Sequence, residues 1–428
     1  MKVLVTGANG FIGRNLTTWL ERLSDVQLLP FDRAHSSADL VELAATADLV
    51  YHLAGVNRPP SVEEFRTGNV DLTVALCEAL QRTGRPIPVV FASSIQAELD
   101  NPYGLSKREA EAVLADYAGR AGAAVAIFRL SNVFGKWCRP NYNSVVATFC
   151  YNIARGLPIT ISDPSREVRL VHVDDVVRAF LEVLSEVEVQ KLEVRSQQSA
   201  ISDRKLQATG HRVPIAVERS PFTVHRSPTT DHWSPITDHQ IVSYYEARPI
   251  YTVTLGRLAE LIRSFRESRQ SLLAPDFNDP FVYKLYGTYL SYLPEDDFAY
   301  DLVQRTDPRG ALAEFIKSPG FGQIFVSRTQ PGITRGNHFH HVKAEKFLVL
   351  EGEAVIRFRP ISGQKSEVRG QGSEIIEYRV SGRDFRVVDI PPGYTHSITN
   401  VGDTELVTLF WASEVFDPQR PDTWYEEV

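Results

Sequence analysis

Residues 3–13 read VLVTGANGFIG, a short apolar run followed by a turn with a glycine at every third position. Apolar, β-branched residues in so short a run are typical of a strand buried on both faces. Leu16, Trp19 and Leu20 then recur at helical spacing, which predicts a strand–turn–helix. In such a turn the backbone can approach a pyrophosphate, and the helix N-terminus donates N–H groups to that anion. The alternative is a glycine turn in an ordinary loop. The expected dinucleotide contacts are Gly7, Asn9, Gly10, Phe11, Ile12 and Gly13.

Further short apolar segments alternate with helical ones, which predicts an α/β fold with a doubly wound, Rossmann-like parallel sheet. These segments lie at 27–31, 48–55 and 88–94. The second of them ends in Leu53, Ala54 and Gly55, where small side chains would let a cofactor lie close to the chain. We therefore expect these three residues to line the cofactor site.

The residues that follow the strand at 27–31 bear on the choice of cofactor. An acid at this position would bond a ribose 2′-hydroxyl, and an arginine would pair with a 2′-phosphate. Asp32 and Arg33 are both present. The residues alone therefore leave NAD and NADP open.

Ser94, Tyr103 and Lys107 predict redox chemistry at a hydroxyl or carbonyl. A tyrosine hydroxyl is a poor acid or base at neutral pH because its pKa is near 10. A lysine one helical turn later is expected to lower that pKa through its positive charge. The serine hydroxyl would hold the substrate oxygen while tyrosine transfers the proton and a nicotinamide exchanges the hydride. The alternative is a Tyr-x-x-x-Lys pair that occurs by chance on a helix.

From about residue 298 the sequence is rich in short strands divided by glycine turns, which predicts an all-β barrel or sandwich. His338 and His340 alternate along one strand, so both side chains should face the same way. Glu345 and His396 would complete a cup of histidines and one carboxylate. Such ligands suit Zn, Fe, Mn or Ni without selecting among them. The alternative is a metal-free barrel with core histidines.

The segment 189–247 interrupts these patterns, and we interpret it as a disordered, low-complexity insertion without a function of its own. It holds three copies of Ser-Pro-x-Thr-x-His-x, which begin at Ser220, Ser227 and Ser234. The proline in each copy argues against a coiled coil, despite the seven-residue period. Metal binding is the alternative for the repeat histidines, which are His225, His232 and His239.

Bulk composition excludes several classes of protein. A chain of 428 residues is too long for one ordinary core, so more than one domain is expected. A net charge of −7 argues against nucleic acid as the main partner. No apolar stretch has the length of a membrane helix, and the N-terminal run is too short for a signal peptide. The three cysteines lack metal or redox spacing, which fits a reducing cytoplasm.

The N-terminal motifs, with the runs at 129–135 and 169–175, resemble the extended short-chain dehydrogenase/reductase family of nucleotide-sugar enzymes. The resemblance implies that Asn132 lies beside the sugar nucleotide and that Arg169 meets its diphosphate. Asn143, in the run from Phe134 to Ser144, is a further candidate for substrate contact. Ser94 is followed by Ile95-Gln96 rather than by an acidic pair, which argues against elimination of water.

The C-terminal motifs look like the two cupin motifs, and the whole chain resembles bacterial capsular-polysaccharide enzymes that join a short-chain reductase to a cupin. This resemblance implies a reductase domain at 1–285 and a cupin at 286–428. It implies a UDP-2-acetamido-2,6-dideoxy-hexulose as substrate, on the route to UDP-N-acetyl-L-fucosamine. The cupin would epimerise C3, and the reductase domain would reduce the C4 ketone.

The same resemblance implies NADPH as the cofactor, with Arg33 as the contact for its 2′-phosphate. It also implies zinc in the cupin and a homodimer. Two alternatives stay open. One is a reductase whose cupin only binds substrate or holds the dimer together, and the other is a non-catalytic cofactor sensor.

Overall fold

The computed structural model describes residues 1–184, 241–361, 375–384, 386–419 and 421–428. They form two units. Residues 1–148 and 166–254 make the first, and residues 149–165 and 255–428 make the second. The division falls near residue 254, whereas the domain boundary predicted at residue 285 stays a prediction. The repeats from Ser220 to Gln240, with their three histidines, lie outside the described residues.

The N-terminal part of the chain alternates strands and helices up to Thr254. In chain order these are β1 (Lys2–Thr6), α1 (Phe11–Leu20), β2 (Gln27–Phe31), α2 (Ser37–Thr46), β3 (Leu49–His52), α3 (Glu63–Phe65), α4 (Leu72–Gln81), β4 (Val89–Ser94), α5 (Pro102–Ala121), β5 (Val125–Leu130), β6 (Asn132–Phe134), α6 (Val145–Ala154), β7 (Glu167–His172), α7 (173–184), β8 (Val242–Tyr245) and β9 (Ile250–Thr254). A π-helical segment, Arg66–Asp71, joins α3 to α4, and a 3-10 turn, Ile95–Glu98, follows β4.

The main sheet of the first unit has six parallel strands in the order β2-β1-β3-β4-β5-β8. Successive side chains of a strand point to opposite faces, so Val3 and Val5 enter one core cluster while Leu4 enters another. Both faces are therefore buried. The chain leaves β1 toward β2 on one side and returns to β3 on the other, which opens a crevice at the carboxyl ends of these strands.

The C-terminal boundary predicted for the insertion, residue 247, is wrong. Val242–Tyr245 forms β8 and pairs in parallel with β5 at the edge of the main sheet. The Tyr245 ring stacks on Phe128, with centroids 5.0 Å apart. The run is short and continues directly from a polar segment, but its tyrosines supply the apolar surface that an edge strand needs. The polypeptide then continues into a small sheet, β6-β7-β9.

The second unit combines helices with two antiparallel sheets. Its further elements are α8 (Leu255–Ser271), α9 (Pro280–Leu290), β10 (Gln304–Asp307), β11 (Gly310–Ser318), β12 (Gly322–Thr329), β13 (Thr334–Phe339), β14 (Glu345–Glu351), β15 (Glu353–Pro360), β16 (Ile376–Ser381), β17 (Val387–Ile390), β18 (Tyr394–Asn400), β19 (Leu406–Ala412) and β20 (Trp424–Tyr425). The helical stripe expected after residue 255 is confirmed, because Leu258, Ile262 and Phe265 of α8 are buried.

The two sheets have the strand orders β10-β11-β12-β19-β14-β17 and β16-β15-β18-β13-β20. Side chains from both meet in one core, for example Phe347 of β14 with Ile356 of β15 and Ile398 of β18. The predicted fold class, a Rossmann-like parallel sheet followed by an all-β domain, is confirmed. Of the helices that the structure describes, none has the length and apolar character to span a membrane.

Candidate active site and candidate metal centre

The glycine turn after β1 is closely packed. Gly7 has φ +72°, and a β-carbon on it would lie 2.7 Å from the Ala54 nitrogen. A β-carbon on Gly13 would lie 2.1 Å from the Gly7 carbonyl oxygen. Gly10 is the N-cap of α1 and provides no side-chain cap, so the first N–H groups of that helix stay available to an anion. The turn therefore has the features that a dinucleotide pyrophosphate needs.

Asp32 and Arg33 follow β2 beside this turn. The Asp32 carboxylate accepts hydrogen bonds from the Ala34 backbone (2.9 Å), from His35 (3.1 Å) and from the Asn9 side chain. The Ala34 N–H, more than the other partners, holds the pKa of Asp32 below its usual value. Arg33 is exposed. The Asp32 carboxylate is thus hydrogen bonded within the local turn, and the Arg33 side chain is exposed to solvent.

Asn69, in the π-helical segment, braces the loop that follows β3. Its side chain accepts a hydrogen bond from the Val56 N–H (2.8 Å) and donates to the Val56 carbonyl (3.1 Å) and to the Ser106 hydroxyl (2.9 Å). Ser106 in turn donates to the Tyr103 carbonyl (2.8 Å). The expected cofactor residues 53–55 are therefore linked to the helix that carries Tyr103. Sequence reasoning missed Asn69 because it belongs to no spaced motif.

Ser94 and Tyr103 meet at the carboxyl end of β4. The Ser94 hydroxyl accepts from the Gln96 N–H at 3.2 Å and hydrogen bonds to the Tyr103 side chain. Burial raises the pKa of Tyr103 to about 12, and the bond with Ser94 opposes this only in part. At neutral pH Tyr103 therefore carries its proton.

Lys107 is buried one turn further along α5, and its ammonium donates to the Ala92 carbonyl at 2.9 Å. Burial lowers the pKa of Lys107 to about 8, while the charge of Glu111 opposes the change. The expectation that Lys107 lowers the Tyr103 pKa below 10 is wrong for this structure. The reason is that burial of the phenol dominates its pKa and the ammonium is bonded to a backbone carbonyl instead.

A buried ion pair supports this end of β4. Glu111 is 3% exposed and accepts hydrogen bonds from the Ser93 hydroxyl (2.5 Å) and from two N–H groups of Arg129 (2.7 and 3.1 Å). Arg129 also reaches Glu98 at 3.1 Å. The pair joins α5, β4 and β5 directly beneath Ser94. Glu111 was missed because a Glu four residues after a Lys is an ordinary helical pattern.

Two of the three expected substrate residues lie on the small sheet. Asn132 of β6 donates to the Arg169 carbonyl of β7 at 3.1 Å, so these two are neighbours. The Arg169 guanidinium is half exposed and pairs with Glu246 at 3.0 Å. Asn143 lies on the loop before α6 and is exposed. Glu246 was missed because it lies in the segment that we interpreted as an insertion.

The four predicted metal-ligating residues come together in the β domain. One side-chain ligand atom from each of His338, His340, Glu345 and His396 lies within 4.8 Å of all the others. His338 and His396 face each other across β13 and β18, with ring centroids 4.5 Å apart. The Glu345 carboxylate lies 3.4 Å from Nε2 of His340 and 3.5 Å from Nε2 of His396.

The donor atoms of this cluster fit a metal ion. Nε2 of His340 and Nε2 of His396 are buried, and among the described residues neither makes a hydrogen bond. Buried polar atoms are normally paired, so two such atoms turned toward one carboxylate indicate a ligand position. Burial lowers the pKa of His338 to about 4, which keeps its imidazole neutral. Burial alone would raise the pKa of Glu345, but the neighbouring imidazoles of His340 and His396 and the Lys343 ammonium hold it well below its usual value.

Comparison with known proteins finds relatives for both parts of the chain. Residues 3–194 match the NAD dependent epimerase/dehydratase family, and residues 305–424 match the polysaccharide biosynthesis C-terminal domain. The chain is 44% identical to UDP-2-acetamido-2,6-beta-L-arabino-hexul-4-ose reductase of Pseudomonas aeruginosa over 99% of this chain and 98% of that protein. GDP-6-deoxy-D-mannose reductase of the same species is 29% identical over 43% of this chain and 70% of its own length.

Among solved structures, the capsular polysaccharide assembling protein CapF from Staphylococcus aureus is 40% identical, with a TM-score of 0.80 and full coverage of both chains. The fold and the two matched regions define an enzyme of the NAD-dependent epimerase/dehydratase class with an appended β domain. The chain belongs to the two-domain family that includes the Pseudomonas reductase and CapF. Membership implies a nicotinamide dinucleotide cofactor, which the glycine turn fits.

Proposed function

We propose that this protein reduces the C4 ketone of a UDP-2-acetamido-2,6-dideoxy-hexulose with NADPH, on the route to UDP-N-acetyl-L-fucosamine for a surface polysaccharide. The observation that carries the proposal is the contact between the Ser94 and Tyr103 side chains at the carboxyl end of β4, in a chain that matches a named UDP-hexulose reductase over its whole length. The protein acts in the cytoplasm as a homodimer.

The protonated phenol of Tyr103 fits reduction, in which the ketone oxygen must gain a proton. Ser94 donates a hydrogen bond to the ketone oxygen, and the protonated phenol stands ready to give that oxygen its proton. When bound, the nicotinamide supplies the hydride that reaches C4. The charged Lys107 ammonium contributes to cofactor binding, and solvent returns a proton to the phenolate that is left behind. Asn132, Asn143 and Arg169 hold the sugar nucleotide.

The cofactor is NADPH, held at its pyrophosphate by the turn from Gly7 to Gly13. The Arg33 side chain is exposed, whereas Asp32 is hydrogen bonded within the turn, which supports a salt bridge from Arg33 to the 2′-phosphate. A comparison of kcat/KM for NADPH and NADH tests this assignment. Arg33→Ala should raise KM for NADPH while leaving that for NADH nearly unchanged, and equal changes for both cofactors would refute it.

The C-terminal domain is a cupin that epimerises C3 before the reduction. A ketone at C4 acidifies the C3 proton, so a base must remove that proton and an acid must return one on the other face. His338, His340, Glu345 and His396 hold a divalent ion, zinc by resemblance, and the unpaired Nε2 atoms support this. When bound, such an ion would supply Lewis-acid polarisation of a substrate oxygen.

One experiment tests both halves of this proposal. The purified protein is mixed with the UDP-4-keto-6-deoxy-HexNAc made by a dehydratase, in D2O and with NADPH. NADPH absorbance follows reduction, and NMR follows deuterium at C3 in the same tube. Oxidation with exchange is expected. Oxidation without exchange would leave the cupin as a binding or dimerisation module, and absence of both would refute the proposed substrate.

A further inference from the structure

We propose that Asp422, in the C-terminal segment of residues 421–427, is a positioning residue for the metal centre. We call this segment the C-terminal strap. The inference rests on the proposed metal site. It adds that Asp422 and the neighbouring residues hold the ligands of that site in place. The strap contacts the strands or the loop that carry each of the three histidines, although none of its own residues is one of the four ligands.

The Asp422 carboxylate binds the loop between two of the ligands. It accepts hydrogen bonds from the backbone N–H groups of His341 (2.9 Å), Val342 (2.8 Å) and Lys343 (2.9 Å). This loop joins His340 to Glu345, so its conformation decides how far apart these two ligands lie. Three N–H groups on one carboxylate form a charge-assisted set that fixes the loop in a single arrangement.

The Asp422 backbone orients His340 directly. Its carbonyl oxygen lies 2.5 Å from Nδ1 of His340. A carbonyl only accepts, so Nδ1 must carry the hydrogen, and Nε2 is left with its lone pair. Nε2 is the buried atom that points toward Glu345. The strap therefore selects the tautomer of His340 that can bind a metal ion, as outer-shell partners do in known metal sites.

Further contacts extend the strap to the other two histidines. Tyr425 pairs with His338 across β20 and β13, and the Glu426 N–H donates to the Asn337 carbonyl at 3.0 Å. The Thr395 hydroxyl, next to His396, donates to the Glu426 carbonyl at 2.5 Å. Asp422 thus belongs to a segment that braces both ligand strands.

The loop and the strap are also joined by side chains. The buried Lys343 ammonium donates to the Thr423 hydroxyl at 3.1 Å and lies 3.5 Å from Glu345. A change at Asp422 is therefore expected to release the loop from the strap and to loosen His340 and Glu345 together. The loss should appear as weaker metal binding, because the ligand atoms would have to be reordered when the ion binds.

The test measures zinc affinity of the full chain by competition with a chromophoric chelator, for wild type, Asp422→Asn and Asp422→Ala. We expect Kd to rise about 10- to 100-fold in Asp422→Ala. Asp422→Asn keeps one oxygen acceptor, so its Kd for zinc should lie between those of wild type and Asp422→Ala. Asp389→Asn is the matched control, because Asp389 is an exposed carboxylate of the same domain that pairs with Lys346.

Two spectroscopic measurements separate positioning from general stability. In the metal-free protein, nitrogen-15 NMR of the histidines should show His340 with its hydrogen on Nδ1 in wild type and a tautomer mixture in Asp422→Ala. In the cobalt-loaded protein the visible bands should shift in Asp422→Ala and stay unchanged in Asp389→Asn. Circular dichroism shows which variants are folded. If Asp422→Ala is not folded, Asp422→Asn alone is compared with wild type.

The outcomes distinguish this inference from the function on which it rests. If wild type binds zinc and both Asp422 variants bind it equally well with unchanged cobalt bands, the strap has no positioning role and only this inference is overturned. If wild type itself binds no divalent ion, the proposed metal site fails, and the inference fails with it. Weaker binding that follows the order Asp, Asn, Ala supports the inference.

Discussion

The backbone of Gly104 packs directly on the carbonyl oxygen of Gln96, and a β-carbon at Gly104 would lie 2.1 Å from that oxygen. No side chain fits there. The contact places the first turn of α5, with Tyr103, against the 3-10 turn that follows Ser94. The acid–serine pair of the proposed reductase site therefore depends on a glycine that takes no part in the chemistry.

Gly104→Ala should displace Tyr103 from Ser94 and lower kcat for NADPH oxidation. A misplacement of about 1 Å can cost about 100-fold in rate, and the clash should cost about 1–3 kcal/mol of unfolding free energy. Gly119→Ala is the matched control, because a β-carbon at Gly119 of the same helix meets nothing within 4 Å. Steady-state kinetics measure kcat, and thermal melts measure the change in stability. Equal kcat and equal stability in Gly104→Ala and Gly119→Ala would contradict the packing argument.

Tyr103→Phe removes the proton donor but keeps the ring. We expect reduction to fall by about 100- to 10,000-fold, the usual contribution of general acid catalysis, while deuterium exchange at C3 continues. NADPH absorbance and NMR measure the two reactions. Tyr117→Phe on the same helix is the control, since its hydroxyl binds the Ile87 carbonyl away from Ser94. Normal NADPH oxidation by Tyr103→Phe would remove Tyr103 from the mechanism.

Glu111→Gln should change the pH dependence of reduction. Burial holds the pKa of Lys107 near 8, and the Glu111 charge raises it. Without that charge the pKa of Lys107 falls. As the pH rises, the ammonium of the variant therefore loses its proton at a lower pH than the ammonium of the wild type does. His52, on which the Lys107 charge also acts, stays neutral because burial lowers its pKa to about 3.

The alkaline limb of kcat should therefore move to lower pH in Glu111→Gln. The exposed Glu109 of the same helix supplies the control Glu109→Gln, which should keep the wild-type profile. A shift of the alkaline limb to higher pH, or no shift, would show that the Lys107 charge does not govern the rate.

His338→Ala should lower the bound metal and impair C3 exchange, because it removes one of four ligands that lie within 4.8 Å of one another. Elemental analysis after dialysis measures the metal. The adjacent His341 faces the exposed Trp424 ring instead, and His341→Ala should keep full metal content. Unchanged metal in His338→Ala would show that the cluster is not the binding site.

Two deletions test where the insertion ends. Removal of residues 220–240 should leave both reactions unchanged, because it stops short of β8. Removal of residues 220–247 takes away β8, which pairs with β5, and Glu246, which pairs with Arg169. That longer deletion should give little folded protein, as judged by yield and circular dichroism. Activity in the longer deletion would mean that β8 is dispensable, and loss in the shorter one would show that the repeats matter.

Local patterns of the sequence were enough for the fold class and for the outlines of both sites. Glycine spacing after β1, apolar runs of strand length and the His-x-His pair all act over a few residues, where backbone geometry follows directly from residue type. These features predicted the parallel sheet, the all-β domain and the cluster of three histidines and one glutamate. The extent of the insertion was misjudged, because an edge strand as short as β8 differs little from its polar surroundings.

The sequence by itself thus determined the fold class and the candidate site residues, while the tertiary structure decided the ionisation of those residues and the contacts that support them. Tyr103 keeps its proton because burial raises its pKa to about 12, and burial depends on the packing of distant segments. Asn69, Glu111, Glu246 and Asp422 contact their partners across 13 to 82 residues of chain, and no periodicity marks such contacts. Only the folded chain brings these groups within hydrogen-bonding distance.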